Sequence, residues 1–353
     1  MKSDAVIPVN GALLLMEEER LLSFCSYDYL GLAEHPEVKK NAMKFLLEHG
    51  VAFSSSSREI ILFCQRKLEE RLSAWMQRDK TLLFSSRTEA NCAALRAIGQ
   101  EGMTILIEET SHFSLRRGAK ESGAKIALFS TPDELEQLLQ TTDAPHLVAL
   151  ESISSLTGEV ALLQEIADLA KRYEALLYVD GSHCFGMAGD EGRGLCADRD
   201  EIDFISGSFA KACGAYGGFV SYRGPVLEEA MPTSLPPPLI GAIDAALHLL
   251  PHMEGERKQL HQRQHWLRNQ LRLSGFTVRG ECTPLVVLSF EGREEVQHIH
   301  KQLRDAHILS MACDERLLLA LNICHMPDHC HEVLDKLCLA RAESHAIAHR
   351  SSP

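Results

Sequence analysis

The middle of the chain alternates short apolar runs with longer amphipathic ones. The runs that have the length and composition of strands are "TILIEE" (104–109), "KIALFS" (125–130), "LVALESI" (147–153), "ALLYVDG" (175–181), "IDFISGS" (202–208) and "GGFVSY" (217–222). Helical patterns lie between several of them, and the one at 131–140 opens with the capping box of Thr131 and Glu134. Continuous apolar strands that alternate with helices predict an α/β fold with a mostly parallel sheet covered on both faces.

Length and a break in this alternation indicate two lobes. A chain of 353 residues is longer than one hydrophobic core usually serves. The segment "MPTSLPPPL" (231–239), rich in Pro and Ser, interrupts the rhythm, and further helical and strand-like runs follow it. We therefore predict an N-terminal segment at residues 1–35, a large domain at 36–238 and a small α+β domain at 239–353.

Charge and hydropathy exclude several classes of partner. The net charge of −13 disfavours nucleic acid and anionic membranes, because both would repel the chain. No stretch approaches the ~20 apolar residues that span a bilayer. Eleven cysteines are scattered without an export signal, which is typical of reduced thiols in the cytoplasm. The His- and Cys-rich stretch 325–338 lacks a second ligand pair, so we interpret it as a helix face and expect no metal.

Polar residues gather at the ends of the predicted strands, where ligands bind in sheets of this kind. They are Asp180 after "LLYV", His183 in "SHCFG", Ser208 and Lys211 in "SFAK", His112 in "TSHFS" and Ser155 in "SISS". Taken singly, each has an ordinary structural explanation. A strand-end Asp forms turns, a Ser caps helices, and a lone His is more often structural than catalytic.

Taken together, four of these residues match the needs of one cofactor, pyridoxal 5′-phosphate (PLP). PLP requires a lysine amine for a Schiff base and a carboxylate that keeps its pyridine nitrogen protonated. It also requires a flat side chain against the ring, and hydroxyls or helix N-terminal amides for the phosphate. Lys211, Asp180, His112 and Ser208 fill those roles in that order. The sequence therefore predicts a PLP site.

Ordered motifs along most of the chain carry a resemblance to a known family. They are "YDYLGLAEHPEV" (27–38), "LEERLSAW" (68–75), "EANCAAL" (89–95), "TSHFS" (110–114), "VDGSHCFGMAGDEGRG" (179–194), "SFAKACGAYGGF" (208–219) and "TSLPP" (233–237). In order and spacing they resemble the α-oxoamine synthases, which are PLP enzymes that condense an amino acid with an acyl-CoA and release CO2. The resemblance implies the PLP-dependent transferase fold of type I, with a mostly parallel central sheet flanked by helices and a smaller α+β C-terminal domain.

The resemblance also implies roles for individual residues. Lys211 would form the Schiff base with PLP and act as the base that moves the proton of the amino acid. Asp180 would pair with the pyridinium nitrogen, and His183 would hydrogen-bond the 3-hydroxyl oxygen of the ring. His112 would stack on the ring face, and Ser155 would lie near the ring.

Phosphate binding and assembly are implied in the same way. Ser208 matches a phosphate-binding hydroxyl of the family. Thr233, in "TSLPP", matches a residue that reaches the phosphate from a partner subunit. The resemblance thus implies a homodimer with shared active sites, and an amino acid and an acyl thioester as substrates.

Two loops depart from the family pattern. The loop before "EAN" reads Ser-Gly-aromatic in the family and Ser86-Arg87-Thr88 here. We expect these three residues at the cofactor phosphate, where Arg87 would either pair with the phosphate or face solvent. In both cases the close backbone approach that glycine allows is lost. The stretch "FSSSSREI" (53–60) is also shorter than its glycine-rich counterpart, which lines the substrate side of the pocket in the family.

A third departure concerns the amino acid carboxylate. Leu318, in "ERLLLALN", stands where the family carries the arginine that binds this group. Leucine cannot bind a carboxylate, and the loss of such a charged pair costs about 2–5 kcal/mol. Arg316 lies two residues earlier and on the same face of the predicted strand. The candidate substrate-binding residues are Arg316 and Arg58, which lies in the stretch 53–60, and the sequence leaves open which of the two replaces the missing arginine.

The sequence leaves three functions open. A decarboxylating acyl-CoA:amino acid C-acyltransferase accounts for the largest number of motifs. A PLP-binding but inactive partner or regulatory subunit would account for Leu318 and Arg87. Another fold type I reaction, that of an aldolase or a lyase acting on a small amino acid, would use the same lysine and aspartate.

Overall fold

The chain divides into two units in the computed structural model, which describes residues 5–53, 60–224, 227, 234–281 and 283–351. The large unit comprises His35–Ser155 and Val160–Glu254. The small unit comprises Met1–Glu34, Leu156–Glu159 and Gly255–Pro353. Two predicted site residues, Arg58 and Thr233, lie outside the described residues.

The structure describes ten α-helices and fifteen strands in the two units together. Within the large unit, helices and strands alternate, as the sequence predicts. The helices are α1 (Pro36–His49), α2 (Phe63–Trp75), α3 (Arg87–Ile98), α4 (Phe113–Ser122), α5 (Pro132–Thr141), α6 (Leu163–Arg172), α7 (Pro237–Leu249), α8 (Glu254–Leu273), α9 (Arg293–Asp305) and α10 (Pro327–Ser351). The strands are β1 (Ile7–Pro8), β2 (Leu13–Met16), β3 (Glu19–Ser23), β4 (Lys80–Phe84), β5 (Thr104–Glu108), β6 (Lys125–Phe129), β7 (His146–Glu151), β8 (Leu176–Asp180), β9 (Phe204–Ser208), β10 (Gly218–Tyr222), β11 (Thr277–Arg279), β12 (Leu285–Ser289), β13 (Ile308–Leu309), β14 (Met311–Cys313) and β15 (Arg316–Ala320). None of the described helices is long and apolar enough to cross a membrane. Helix α10 contains most of the His- and Cys-rich stretch, whose helical character is thereby confirmed.

Seven of the described strands form the sheet of the large unit, in the order β4-β10-β9-β8-β7-β5-β6. Strands β9, β8, β7, β5 and β6 run parallel to one another. Strand β10 runs antiparallel to both of its neighbours, β4 and β9. The predicted α/β fold with a mostly parallel sheet is confirmed. The antiparallel strand is an addition that the alternation pattern alone did not predict.

Side-chain caps determine where two helices of the large unit begin. Thr131 accepts a hydrogen bond from the backbone N–H of Glu134 at 3.2 Å, as the capping pattern predicts. The Glu134 carboxylate in turn accepts from the N–H of Ser130, the residue before the cap, at 2.8 Å. Helix α3 begins in the same way, since Ser86 accepts from the N–H of Glu89 at 3.1 Å. The start of α3 is therefore specified by its own sequence.

Helices α3 and α4 pack closely against each other and against the sheet. Gly118 on α4 permits the contact between the two helices, because a Cβ at that position would lie 2.8 Å from the Cα of Cys92 on α3. The buried cluster beneath the two helices includes Ala90, Ala94, Leu115 and Ala119 from the helices and Ile105, Ile107, Leu147 and Ala149 from the strands. Burial of such apolar surface contributes about 25 cal/mol per Å². This packing holds the N-terminal ends of α3 and α4, where Arg87 and His112 lie.

The described part of the small unit contains two four-stranded sheets, in the orders β1-β2-β3-β13 and β11-β12-β15-β14, together with α9, α10 and nearly all of α8. Strand β3 pairs in parallel with β13, so that Leu22 lies opposite Ile308 and Ser23 opposite Leu309. The residues predicted as a separate N-terminal segment therefore belong to the same unit as the C-terminal part of the chain. The physical reason is this strand pairing, which no local pattern reveals.

Helix α7 belongs to the large unit, which places the second division of the chain later than the predicted one at 238 and 239. Asn41 on α1 donates to the carbonyl of Gly241 on α7 at 2.7 Å. A Cβ on Gly241 would lie 2.7 Å from the Asn41 carbonyl oxygen, so the two helices approach closely. The last residues of the Pro-rich segment, 237–239, form the start of α7, which packs onto α1, and the division of the chain falls after α7.

Candidate active site

Two buried carboxylates lie side by side where the parallel strands β7 and β8 end. Glu151 is the last residue of β7 and Asp180 the last of β8, and the two are directly opposite each other in the strand register. Each residue is 1% exposed. Because like charges repel strongly in a buried setting, this pair requires a neighbouring cation.

Arg87 supplies that cation. It is the first residue of α3 and its side chain is buried. Its Nε donates to Asp180 Oδ2 at 2.6 Å, and its Nη2 donates to Glu151 Oε1. Gly218 on β10 makes room for this helix start, since a Cβ there would lie 2.6 Å from the Arg87 backbone nitrogen. The guanidinium thus bridges the ends of two neighbouring strands.

The predicted positions of the loop residues 86–88 have different outcomes. For Arg87, the solvent-facing alternative is wrong, because two buried carboxylates within its reach hold the guanidinium inside. Pairing with a phosphate would require the guanidinium to leave these carboxylates. Ser86 caps α3, and Thr88 follows Arg87 on the first turn of the helix and is half-buried.

Both oxygens of Asp180 accept further hydrogen bonds. Oδ2 accepts from Asn91 Nδ2 at 2.7 Å, and Oδ1 accepts from the N–H of Ser182 at 2.9 Å. Burial acts to raise the pKa of Asp180, but Arg87, Ser182 and Asn91 together lower it to about 2. Asp180 is therefore an anion throughout the neutral range.

A chain of hydrogen bonds leads from this aspartate region to His112. Tyr178 donates to Asn91 Oδ1 at 2.8 Å, and Asn91 donates to Ser114 Oγ at 2.9 Å. The Ser114 hydroxyl lies 2.7 Å from Nδ1 of His112, which also caps α4. Burial, aided by the charge of Arg87, lowers the pKa of His112 to about 4. The His112 ring is therefore neutral at pH 7 and fixed in orientation.

Glu151 holds two of the predicted site residues together. Its Oε2 accepts from the N–H of His112 at 3.1 Å and from the N–H and the hydroxyl of Ser155 at 3.0 and 2.9 Å. Burial raises the pKa of Glu151, Arg87 opposes this effect, and the charge of Asp180 adds to it. Glu151 is not among the site residues predicted from the sequence. The signal was available, because Glu151 ends the apolar strand "LVALE" just as Asp180 ends "LLYVD".

Lys211 lies in a tight loop just beyond β9, and close contacts of this loop explain why its neighbours in the sequence are small. A Cβ on Gly186 would lie 2.4 Å from the Cβ of Ala212, so these two segments touch. The Lys211 carbonyl accepts from the N–H of Gly214 at 2.9 Å. Ser208, the last residue of β9, accepts from the N–H of Ala210 at 3.2 Å. The loop is thereby fixed, and Lys211 is only 7% exposed.

The setting of Lys211 changes its protonation. Burial lowers the pKa of Lys211 to about 7, Arg87 contributes in the same direction, and Asp180 and Glu151 oppose the shift. His183 is also buried, and burial, Lys211 and Arg87 hold its pKa well below the ordinary value. At neutral pH the site thus combines a partly neutral lysine amine with neutral imidazoles and a charged Arg-carboxylate group. A neutral buried amine is the form that attacks carbonyl carbons.

The predicted substrate residue Arg316 belongs to the small unit, together with Leu318. Both lie on β15, two residues apart and hence on one face, as predicted. Leu318 lies opposite Val287 and packs with Leu285, Val287 and Ala320. It is 4% exposed. Leu318 is thus part of the apolar core of this unit.

The seven-stranded sheet, the lysine loop after β9 and the aspartate at the end of β8 define a transferase of fold type I. The chain belongs to the aminotransferase class I and II family, whose pattern matches residues 19–338. This is a family of PLP-dependent enzymes, and within it the chain falls among the α-oxoamine synthases, as its motifs predict.

Two curated relatives illustrate the degree of similarity. An 8-amino-7-oxononanoate synthase of Trichlorobacter lovleyi is 34% identical over 293 residues, which are 77% of this chain and 74% of the relative. A second 8-amino-7-oxononanoate synthase, from Lysinibacillus sphaericus, is 30% identical over 313 residues, or 84% of this chain and 80% of the relative.

Solved structures confirm the predicted fold. A serine palmitoyltransferase from S. paucimobilis superposes with a TM-score of 0.89 at 22% identity, covering 96% of this chain and 92% of its own. An 8-amino-7-oxononanoate synthase from Francisella tularensis has a TM-score of 0.80 at 20% identity, covering 92% and 99%. At these identities the similarity concerns the fold.

Proposed function

We propose that this chain is a PLP-dependent acyltransferase that joins an amino acid to an acyl thioester with loss of CO2. The observation that carries the proposal is Lys211, a buried lysine whose pKa is lowered to about 7 beyond the end of a parallel strand. A lysine in that state suits reversible Schiff-base chemistry with an aldehyde cofactor. The 8-amino-7-oxononanoate synthases among its relatives support this reaction class.

The side chains at the strand ends are of the chemical types that PLP requires. Lys211 offers a reactive amine, Asp180 a buried anion, and His112 and His183 neutral imidazoles. The N-terminal turn of α3 offers backbone N–H groups near Ser86, which suit a phosphate. The carboxylate of Asp180, which PLP would need, already accepts a hydrogen bond from Arg87. When bound, PLP supplies an electron sink for negative charge at the Cα of the amino acid.

The chain's own residues would then hold and move protons around this sink. Asp180 would keep a proton on the ring nitrogen, because its pKa of about 2 makes it a permanent anion. Lys211 Nζ would hold the cofactor, and would take the Cα proton once an amino acid has replaced it. His112, fixed by Ser114 and Glu151, would present its flat neutral ring to the cofactor.

Turnover is tested with the purified, PLP-loaded protein. We expect L-alanine, glycine or L-serine to support consumption of an acyl-CoA, with stoichiometric release of free CoA and CO2. Without an amino acid the thioester should stay intact. Release of an aldehyde from the amino acid alone would indicate the aldolase or lyase alternative instead.

For the substrates, we propose L-alanine and a pimeloyl thioester, the pair used by 8-amino-7-oxononanoate synthases in biotin biosynthesis. The two 8-amino-7-oxononanoate synthases at 34% and 30% identity support this choice. We also propose a cytoplasmic homodimer with shared active sites, in which Thr233 of one subunit serves the other. Size-exclusion chromatography with light scattering tests the dimer directly.

A PLP-binding subunit without activity is the second candidate. Leu318 favours it, because an apolar core residue stands where the family binds the amino acid carboxylate. Arg87 favours it as well, because it neutralises the aspartate that PLP would use. Such a protein would take up PLP but show no amino acid-dependent loss of acyl-CoA.

Replacing Leu318 with arginine separates a core role from a substrate role. The guanidinium would enter the apolar cluster of Leu285, Val287 and Ala320. We expect the free energy of unfolding to fall by more than about 3 kcal/mol, because a buried unpaired charge is costly. Leu318→Met is the matched control, and it should cost less than about 1.5 kcal/mol. Urea denaturation measures both. An L318R protein of unchanged stability that binds L-alanine more tightly would place residue 318 at the carboxylate site.

Uptake of PLP should depend on pH through Lys211. The amine reacts when neutral, and its lowered pKa of about 7 predicts that the rate of Schiff-base formation rises with pH and has its midpoint near 7. An ordinary lysine would give a midpoint of about 10.4. Borohydride reduction followed by peptide mass spectrometry measures the modified fraction of Lys211 at each pH. Exposed Lys125 serves as the internal control.

A further inference from the structure

We propose that Arg87 and the cofactor ring compete for Asp180, so that PLP binds fully only after the Arg87 guanidinium has released this carboxylate. The inference rests on the proposed function, because it takes PLP to be the ligand of the site. Under this proposal, Arg87 is a determinant of the affinity of the protein for its cofactor.

The contacts of Asp180 show why two cations cannot share it easily. Oδ2 already accepts from Arg87 Nε at 2.6 Å and from Asn91 at 2.7 Å, and Oδ1 accepts from Ser182 at 2.9 Å. Each carboxylate oxygen offers about two acceptor positions, so both positions of Oδ2 are taken, and the three partner residues are all buried. A ring nitrogen cation at the same oxygen would also repel the guanidinium, since both would lie in a buried setting.

Glu151 gives Arg87 a second partner during such an exchange. It contacts Arg87 through Oε1, while its other oxygen is occupied by His112 and Ser155. After the exchange, Arg87 would pair with Glu151 and the ring nitrogen with Asp180. Two carboxylates would then face two cations, so the charges would balance.

The same geometry has a consequence for the protein without cofactor. Arg87 neutralises two buried carboxylates that would otherwise repel each other. The cofactor-free chain is therefore stabilised by a contact that the cofactor has to break. Because a ligand binds more weakly when its competent state is rarely populated, Arg87 lowers the apparent affinity for PLP.

The test compares the full chain with its Arg87→Gln variant, using pyridoxamine 5′-phosphate as the probe. This compound has the PLP ring and phosphate but no aldehyde, so its binding does not include a Schiff base with Lys211. Isothermal titration calorimetry gives the dissociation constants. We expect the R87Q variant to bind about tenfold more tightly than the wild type. We also expect cofactor-free R87Q to melt at a lower temperature and to gain more from the probe than the wild type does.

Two controls isolate the Asp180 contact. Arg193 has a side-chain exposure of 11%, close to the 9% of Arg87, and it also pairs with two carboxylates, those of Asp190 and Asp198. Arg193→Gln should leave the dissociation constant unchanged. In an Asp180→Asn background, R87Q should no longer improve binding, because the contested charge is gone.

Each alternative result overturns a defined statement. Weaker binding by R87Q would mean that Arg87 holds the phosphate, and equal binding would mean that Arg87 leaves Asp180 at no cost; both overturn the competition. Tighter binding that persists in the Asp180→Asn background would overturn it as well. Absence of binding by wild type and variant alike, at millimolar probe and with PLP itself, would overturn the proposed function and this inference with it.

Discussion

Replacing Lys211 with alanine is expected to abolish Schiff-base formation with PLP and to lower acyl transfer by about a thousandfold or more. Among the described residues, Lys211 is the only buried lysine. Its lowered pKa makes its amine reactive at neutral pH. The fold should be retained, because the variant removes a group that is costly to bury when charged. Absorbance of the PLP-treated protein and the acyl-CoA assay measure the two effects.

Two matched variants make this result specific. Lys211→Arg keeps a cation but cannot form a Schiff base, so it should be as inactive as the alanine variant. Lys125→Ala removes an exposed lysine and should retain full activity. A K211A protein that still turned over amino acid and acyl-CoA would contradict the role assigned to this lysine.

Replacing Asp180 with alanine is expected to lower the free energy of unfolding of the cofactor-free protein by about 3–5 kcal/mol. The variant leaves Arg87 buried with Glu151 alone and removes the acceptor of Asn91 and Ser182. Loss of one partner from a buried ion pair is costly because the remaining charge stays out of water. Urea denaturation followed by circular dichroism gives the free energy.

An exposed ion pair provides the comparison for Asp180. Asp200, whose side chain is 88% exposed, pairs with Arg223, and Asp200→Ala should cost less than about 1 kcal/mol. A double variant, Arg87→Leu with Asp180→Ala, should lose less stability than the sum of the two single variants. Equal destabilisation by D180A and D200A would show that the buried group contributes no more than a surface pair.

Much of the large unit could be predicted from the sequence because its signals are local. The strands from β5 to β10 are continuous apolar runs, and the cap at Thr131 begins a helix within its own first turn. Asp180 and Lys211 could be placed at the ligand-binding edge for the same reason, since Asp180 ends one buried strand and Lys211 lies in the loop just after another. The end of a strand is a position that a sequence pattern can locate.

The rest depends on contacts between residues far apart in the chain. Arg87 begins a helix whose start is specified by the local sequence. The partners of its side chain, however, depend on the strand register that places Glu151 opposite Asp180. That register is a property of two strands and cannot be deduced from the loop before "EAN". The N-terminal strands present the same difficulty, because β3 finds its partner in β13.

The pairing of β3 with β13 sets an order of events during synthesis. Leu22 and Ser23 leave the ribosome early, whereas Ile308 and Leu309 follow only after the described parts of the large unit have been made. Domains generally fold as units while the chain emerges. The large unit can therefore close first, with the edge of β3 still open to water and to any other strand nearby. Nascent chains of this protein would thus be most prone to association before residue 308 appears, and least prone once it has emerged.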